Sequence, residues 1–546
     1  MVDTLLRTTL VLVFIVSSTV LVSSQRSSPL KSKAESRFPH HPIRTTSQQA
    51  QTLFNEGLGL IYALDYGGAA KSFRAAAKAD PSAAMAYWGI SYSLGSDYYY
   101  HSSGDPIREQ EAHHALQRAM TLSENGPEVE KKYVQALSRR YCDCQNPDRA
   151  KDAVDFKNGM ADLVRDYPDD LDAATLYAQS IMNLRAWELW NPDGTPWEYT
   201  PEILRVLESV LRRDPHHWGA IHYYIHAVEA SPNPERALLY VQELPDLIPP
   251  IGHLVHMPAH IYIRTGDYPA AAVACRKAAL LDENKLQNAS DMFTVLSYLH
   301  DLYFLTAASS MDDRFITAND AAVKLAETVA PHVNDMPQLE VFLTAPLAVL
   351  VHFNRWNDIL KIPEPDKAYS STSAFWHFAR GMAFTATSSQ IAGEKEQRAL
   401  MDQMESTPPN ETYGMSAVNK TRDILAIASD VLEARLLTAK HQRGEAIARL
   451  REAVSIQDSL KYSEPPSWFY PVRESLGAAL FLDGQMREAE STFRDDLARN
   501  PRNPRSLFGL LQVLQSTGKS YDAGFVRAEL KSGGHEDLRA FSLQEF

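Results

Sequence analysis

At 546 residues the chain is too long for one small core and calls for several domains or an extended repeat array. Its composition, 45% hydrophobic, 10% aromatic and 22% charged, is that of a folded soluble protein. A net charge of −14 argues against a phosphate-reading surface, which needs Lys and Arg in excess, so nucleic acid is not an expected partner.

Arg7 is followed by "TTLVLVFIVSSTVLVSS", an apolar run broken by Ser and Thr with small residues at Ser23 and Ser24. Basic residue, short apolar stretch and small-residue cleavage site together read as a signal peptide over residues 1–24 of a secreted protein. The run is too short for stable membrane insertion; an uncleaved anchor helix is the other reading. Residues 25–44, rich in Ser, Pro and Lys without periodicity, read as a flexible lead-in. Sequons at Asn288, Asn410 and Asn419 agree with a secreted glycoprotein. Cys142, Cys144 and Cys275 are too few for a disulfide-built scaffold, and they either pair among themselves or stay free thiols.

From about Thr46 onward, apolar residues recur at spacings of three and four, which predicts helices nearly everywhere and an all-α fold. In "FNEGLGLIYALDYGGAAKSFRAAAKADP", Gly57, Ala69, Phe73, Ala76 and Pro81 fall at positions 8, 20, 24, 27 and 32 of a unit starting at residue 50. In the segment starting at Tyr470, Leu476, Gly477, Ala489, Phe493 and Pro501 fall at positions 7, 8, 20, 24 and 32. This pattern resembles the tetratricopeptide repeat, a 34-residue pair of antiparallel helices. The resemblance implies a right-handed, curved α-solenoid with a concave groove. We divide the chain into a repeat array over residues 45–330, a divergent helical region with loops over 331–460, and C-terminal repeats over 461–546.

Five of the eighteen histidines stand between residues 221 and 264. In two units starting at Trp218 and Gly252, His222, His226 and Glu229 take positions 5, 9 and 12, and His253, His256 and His260 take positions 2, 5 and 9 of the next. In tetratricopeptide proteins these positions face the groove, so His222 is expected beside His256 and His226 beside His260. Residues at i, i+4 and i+7 share one helical face, and paired helices offering such histidines are a recurrent way to bind copper, iron or zinc. His222, His226, His256 and His260 are the candidate metal ligands. Glu229 and His253 are candidates for a further ligand, for a group fixing a histidine tautomer, or for a general base. Pro258 leaves two options, a helix starting near Met257 or a kinked helix running from Gly252.

Polar and aromatic residues elsewhere are expected to wall a substrate pocket in the same groove: Trp88 and Tyr92, with the nearby "SDYYYH"; His300; His377 and Arg380; and Trp468 and Tyr470, with Glu464 and Arg473. No nucleophile motif, phosphate loop or dinucleotide fingerprint appears. The expected function is therefore that of a secreted metalloprotein oxidising, or else hydrolysing, a small organic substrate. The alternative is a non-catalytic scaffold holding a peptide or protein partner.

Overall fold

A computed structural model of the chain describes residues 37–95, 105–141, 148–287 and 292–546. The signal peptide, most of the lead-in, Asp97–His101, Cys142, Cys144 and Asn288 lie outside the described residues. Among those described, 25 α-helices follow one another with only a two-residue hairpin, Thr412–Tyr413 against Asn419–Lys420, as strand. The fold is an all-α solenoid of antiparallel helix pairs. Residues 37–44, expected to be flexible, are held against this body. Arg37 donates to the Ile248 carbonyl at 2.9 Å, Trp218 Nε1 donates to the Arg37 carbonyl, and His41 pairs with Asp172 at 2.8 Å.

The sequence explains how each pair closes. Asp65, Asp170 and Asp267 cap the helices that follow them, accepting the backbone N–H three residues on. In the predicted turn at Thr265-Gly266-Asp267, Gly266 takes φ +78°, a conformation that favours glycine. The two best repeat matches share one packing device. The Phe73 ring fills the space left by the missing side chains of Gly57 and Gly89, and the Phe493 ring does the same for Gly477 and Gly509. A Cβ at Gly57 or Gly477 would stand 2.7 Å from its phenylalanine ring, so glycine and phenylalanine are required together.

Buried apolar residues form one core between residues 43 and 278 and another between 279 and 543, with a small cluster around Cys275 and Phe304 beside them. Five helices around this junction concern us: α1 (Gln48–Tyr62), α2 (Trp218–Val228), α3 (Gly252–His256), α4 (Pro258–Thr265) and α5 (Met292–Met311). The C-terminal repeats turn back onto them. Tyr268 donates to the Pro501 carbonyl at 2.9 Å, and Arg505 pairs with Asp313 at 3.2 Å. The linker between the helices Arg443–Ser459 and Val472–Leu482 forms a strap across the same region: Lys461 reaches Glu188 at 2.7 Å and Tyr462 donates to Glu229 at 2.7 Å. Asn419 fixes the strap, exchanging hydrogen bonds with the backbone N–H and carbonyl of Lys461 at 2.8 and 2.9 Å and donating to Ser467. Among the described residues no helix is long and apolar enough to cross a membrane.

Candidate metal centre

α2 is buried along its whole length, packed against the helix Thr200–Arg213 and, on another side, against α1, with Gly219 against the ring of Tyr62. His222, His226 and Glu229 leave it on one face, as the 3.6-residue period requires. In the next segment Pro258 has no N–H to donate, so α3 stops at His256 and α4 begins at Pro258. Met257 between them keeps helical dihedrals (φ −49°, ψ −38°). The segment is therefore the kinked helix, and both His253 and His256 point from helical backbone. α5 supplies His300, Asp301 and Phe304, and the strap supplies Tyr462 and Glu464.

The pairing differs from the one the repeat register suggests. His222 Nε2 meets His253 Nε2 at 3.1 Å, while His256 Nε2 meets His260 Nε2 at 2.8 Å. The short α3 places His253, one turn before His256, opposite α2, and turns His256 toward His300, with ring centres 4.8 Å apart. His226 and His260 do lie side by side, with ring centres 5.2 Å apart. Within this cluster, possible ligand atoms within 4.8 Å of one another form two separate trios, His222, His226 and His253, and His256, His260 and His300, and a group that overlaps both, His226, Glu229, His260 and Glu464.

Hydrogen bonds fix which nitrogen carries the proton in three of the rings. His222 Nδ1 faces the Tyr62 carbonyl at 2.5 Å, an oxygen that only accepts, so Nδ1 is the N–H and Nε2 holds the lone pair. His226 Nδ1 faces Glu229 Oε1 at 2.8 Å and His260 Nδ1 faces Glu229 Oε2 at 2.5 Å, which sets the same tautomer when the rings are neutral. One carboxylate thus orients two histidines, and Arg264 anchors its residue by donating to the Glu229 carbonyl at 3.0 Å. Carboxylates and carbonyls placed behind imidazoles in this way are the usual support of metal ligands.

Burial decides the charges. It drives His222, His253 and His256 well below the ordinary histidine value and His300 down to about 3, so these rings are neutral, the form that binds a metal. Burial opposes the charged form of His260 as well, but Glu229 and Glu464 beside it win and push it up to about 10. The protonated His260 ring accounts for the short contact with His256, since two bare lone pairs at that distance would repel. Burial also pushes the Glu464 carboxyl up to about 7 and that of Asp301 well above the carboxylate range. Asp301 lies 3.3 Å from His256 Nδ1, but neither of its oxygens receives a directed hydrogen bond.

A cavity of about 300 Å³ ends on the cluster at His253, His300 and Glu464. Trp187, Phe293, Tyr303, Phe342 and Tyr413 form its aromatic walls, with Ser297, Gln338 and Ser463 among the polar groups, and no Lys or Arg among the described residues lines it. Of the residues expected in a substrate pocket, His300 lines this cavity. Trp468 and Tyr470 line a second cavity of about 220 Å³ that also borders the strap. Trp88 and Tyr92 are instead core residues. Trp88 packs against Tyr92 and Tyr133 with ring centres 5.1 and 5.5 Å apart, and Tyr92 donates to Gln179. The helices after Ala84–Leu94 cover the face that an open groove would have exposed. His377 and Arg380 line neither cavity; both bind Glu396, at 2.6 and 3.2 Å, within their own helix pair. Cys275 is a free buried thiol 3.5 Å from His256 Nδ1, held protonated by burial.

No protein-family model and no curated protein sequence matches the chain. Solved structures align along most of its length but loosely. The human IFIT1 dimer with PPP-AAAA is 12% identical over 88% of this chain and 93% of its own, with a TM-score of 0.34. Yeast Tom70 is 13% identical over 88% and 97%, with a TM-score of 0.34. The P58(IPK) TPR domain is 11% identical over 86% and 99%, with a TM-score of 0.23. Superpositions this loose assign neither a partner nor an activity to the chain.

Proposed function

We propose that the protein is a metalloprotein whose histidine cluster holds a transition metal (copper, iron or zinc) and acts on a small organic molecule admitted through the aromatic cavity. The observation that carries this reading is the convergence of six imidazoles and two glutamates from α2, α3, α4, α5 and the strap, with a carbonyl or carboxylate behind the Nδ1 of His222, His226 and His260. An aromatic cavity with no Lys or Arg among its described lining residues suits a neutral, largely apolar substrate better than a phosphate or carboxylate. Copper or iron bound there would supply electron transfer, and zinc would supply a polarised water for hydrolysis. Tyr303, Tyr413 and Trp187 around the cavity, and the oxidising compartment of a secreted protein, favour oxidation. In this reading His253, His300 and Glu464 meet the substrate at the cavity end, and Glu229 holds His226 and His260 in position.

A scaffold for a peptide partner is the second reading. It is disfavoured because His222, His226, His253, His256 and His260 are buried and the strap reaches across to Glu229, out of reach of a peptide lying on the surface. The deciding measurement is elemental mass spectrometry on full-length protein purified without a His-tag or chelating column, beside the double variant His226→Ala/His260→Ala. We expect near-stoichiometric metal in the wild type and its loss in the variant. Wild-type protein that stays empty after incubation with copper, iron and zinc overturns the metalloprotein reading.

A further inference from the structure

Six imidazoles are more than one tetrahedral ion uses, and their arrangement is repetitive. His222 and His226 form an i, i+4 pair on α2, and a third histidine, His253, comes from α3. His256 and His260 are again four residues apart, across the kink between α3 and α4, and their third histidine, His300, comes from α5. Within each trio the possible ligand atoms lie within 4.8 Å of one another; the group that mixes the two trios takes one histidine from each, His226 and His260, together with Glu229 and Glu464. We propose that the cluster is a dinuclear centre, with one metal ion on His222, His226 and His253 and a second on His256, His260 and His300. This rests on the metalloprotein reading above and adds to it the number of ions and their separate ligands.

Three further observations support two ions. Imidazole nitrogens bound to one metal at ~2.0–2.1 Å stand about 2.9–3.4 Å apart, depending on the angle between them. The closest nitrogens of the two trios are 3.1 Å apart in the first and 2.8 Å in the second, so in each trio two ring nitrogens already stand at close to chelating distance. Glu229 sits between the trios with one oxygen on the Nδ1 of His226 and the other on the Nδ1 of His260, so it orients one ligand of each ion through the ring nitrogen that the metal does not use. Glu464, with its side chain 2% exposed, lies 2.6 Å from His260 Nδ1 and pairs with that ring, which places a second buried carboxylate beside the ligands of the second trio.

The competing arrangement is a single central ion held by His226, Glu229, His260 and Glu464. It would use the Nδ1 atoms, break the Glu229 bonds and leave His222, His253, His256 and His300 without a role. The two arrangements predict different counts. Full-length metal-free protein is titrated separately with Cu(II) and Zn(II), freed of loose metal by gel filtration, and weighed by native mass spectrometry. The double variants His222→Asn/His253→Asn and His256→Asn/His300→Asn are treated alike. Two ions in the wild type and one in each variant are expected. One ion in the wild type, retained by both variants, overturns the dinuclear centre while leaving the metalloprotein reading intact. No ion in the wild type overturns both. A variant that does not fold changes nothing in the wild-type count, which decides between one ion and two by itself.

Discussion

Glu474 lies wholly inside the C-terminal repeats, where Asn503 Nδ2 donates to its Oε1 and to Asp496 Oδ2, both at 2.8 Å. Burial pushes the Glu474 carboxyl up to about 8; Arg505 opposes the shift, and Asp496 and Asp313 add to it. Between the ordinary glutamate value of 4.5 and about 8 the folded protein keeps this proton while the unfolded chain has lost it. Folding therefore takes up a proton in that window, and stability falls as pH rises through it. Urea titrations from pH 5 to 8 should show a loss of a few kcal/mol in wild type and a flatter profile in Glu474→Gln; equal slopes in the two proteins would refute the assignment. Single residues also show where a sequence signal misleads. Asn419 fits the glycosylation tripeptide, but its amide is buried and bonded to the strap, whereas Asn410 is exposed. Trp88 and Tyr92 take positions that face the groove in an open repeat array, and only the packing of later helices shows that they are core.

At the scale of elements, the aromatic plug between glycines is what the repeat spacing encodes. Phe73 and Phe493 were legible because position 24 of both units carries the same ring opposite the same glycine. Phe493→Ala should remove about 3–5 kcal/mol of stability, read as a lowered urea midpoint, because the glycines it touches have no side chains to collapse into the hole. A change under ~1 kcal/mol would mean that the neighbouring helices close the gap. Half of the histidine cluster was legible for a similar reason. α2 is continuous, so the spacing of 222, 226 and 229 fixed their common face. The register failed at the next helix, where Pro258 kinks the backbone and a one-turn difference exchanges His253 for His256 as the neighbour of His222. A proline says that a helix bends; which histidine then faces the neighbouring helix depends on tertiary packing.

At the scale of the molecule, the centre is completed from far along the chain. Glu229 and Tyr462 are 233 residues apart, and no local spacing reports such a contact. Asn419 is the residue through which the strap is tied down, so Asn419→Ala leaves the Lys461 N–H and carbonyl without partners. A loss of about 2–3 kcal/mol is expected, together with faster proteolytic cleavage within residues 461–467, measured by limited digestion of the folded protein. Unchanged cleavage would show that Tyr462 and Lys461 hold the strap unaided. His300, the last of the six histidines, precedes Glu464 by about 160 residues, and chains grow at about 5–20 residues per second. A nascent chain therefore displays its complete set of imidazoles for roughly 10–30 s before the strap that covers them has been made. The order of translation gives this centre an open interval during its own synthesis, which ends when the strap is laid across it.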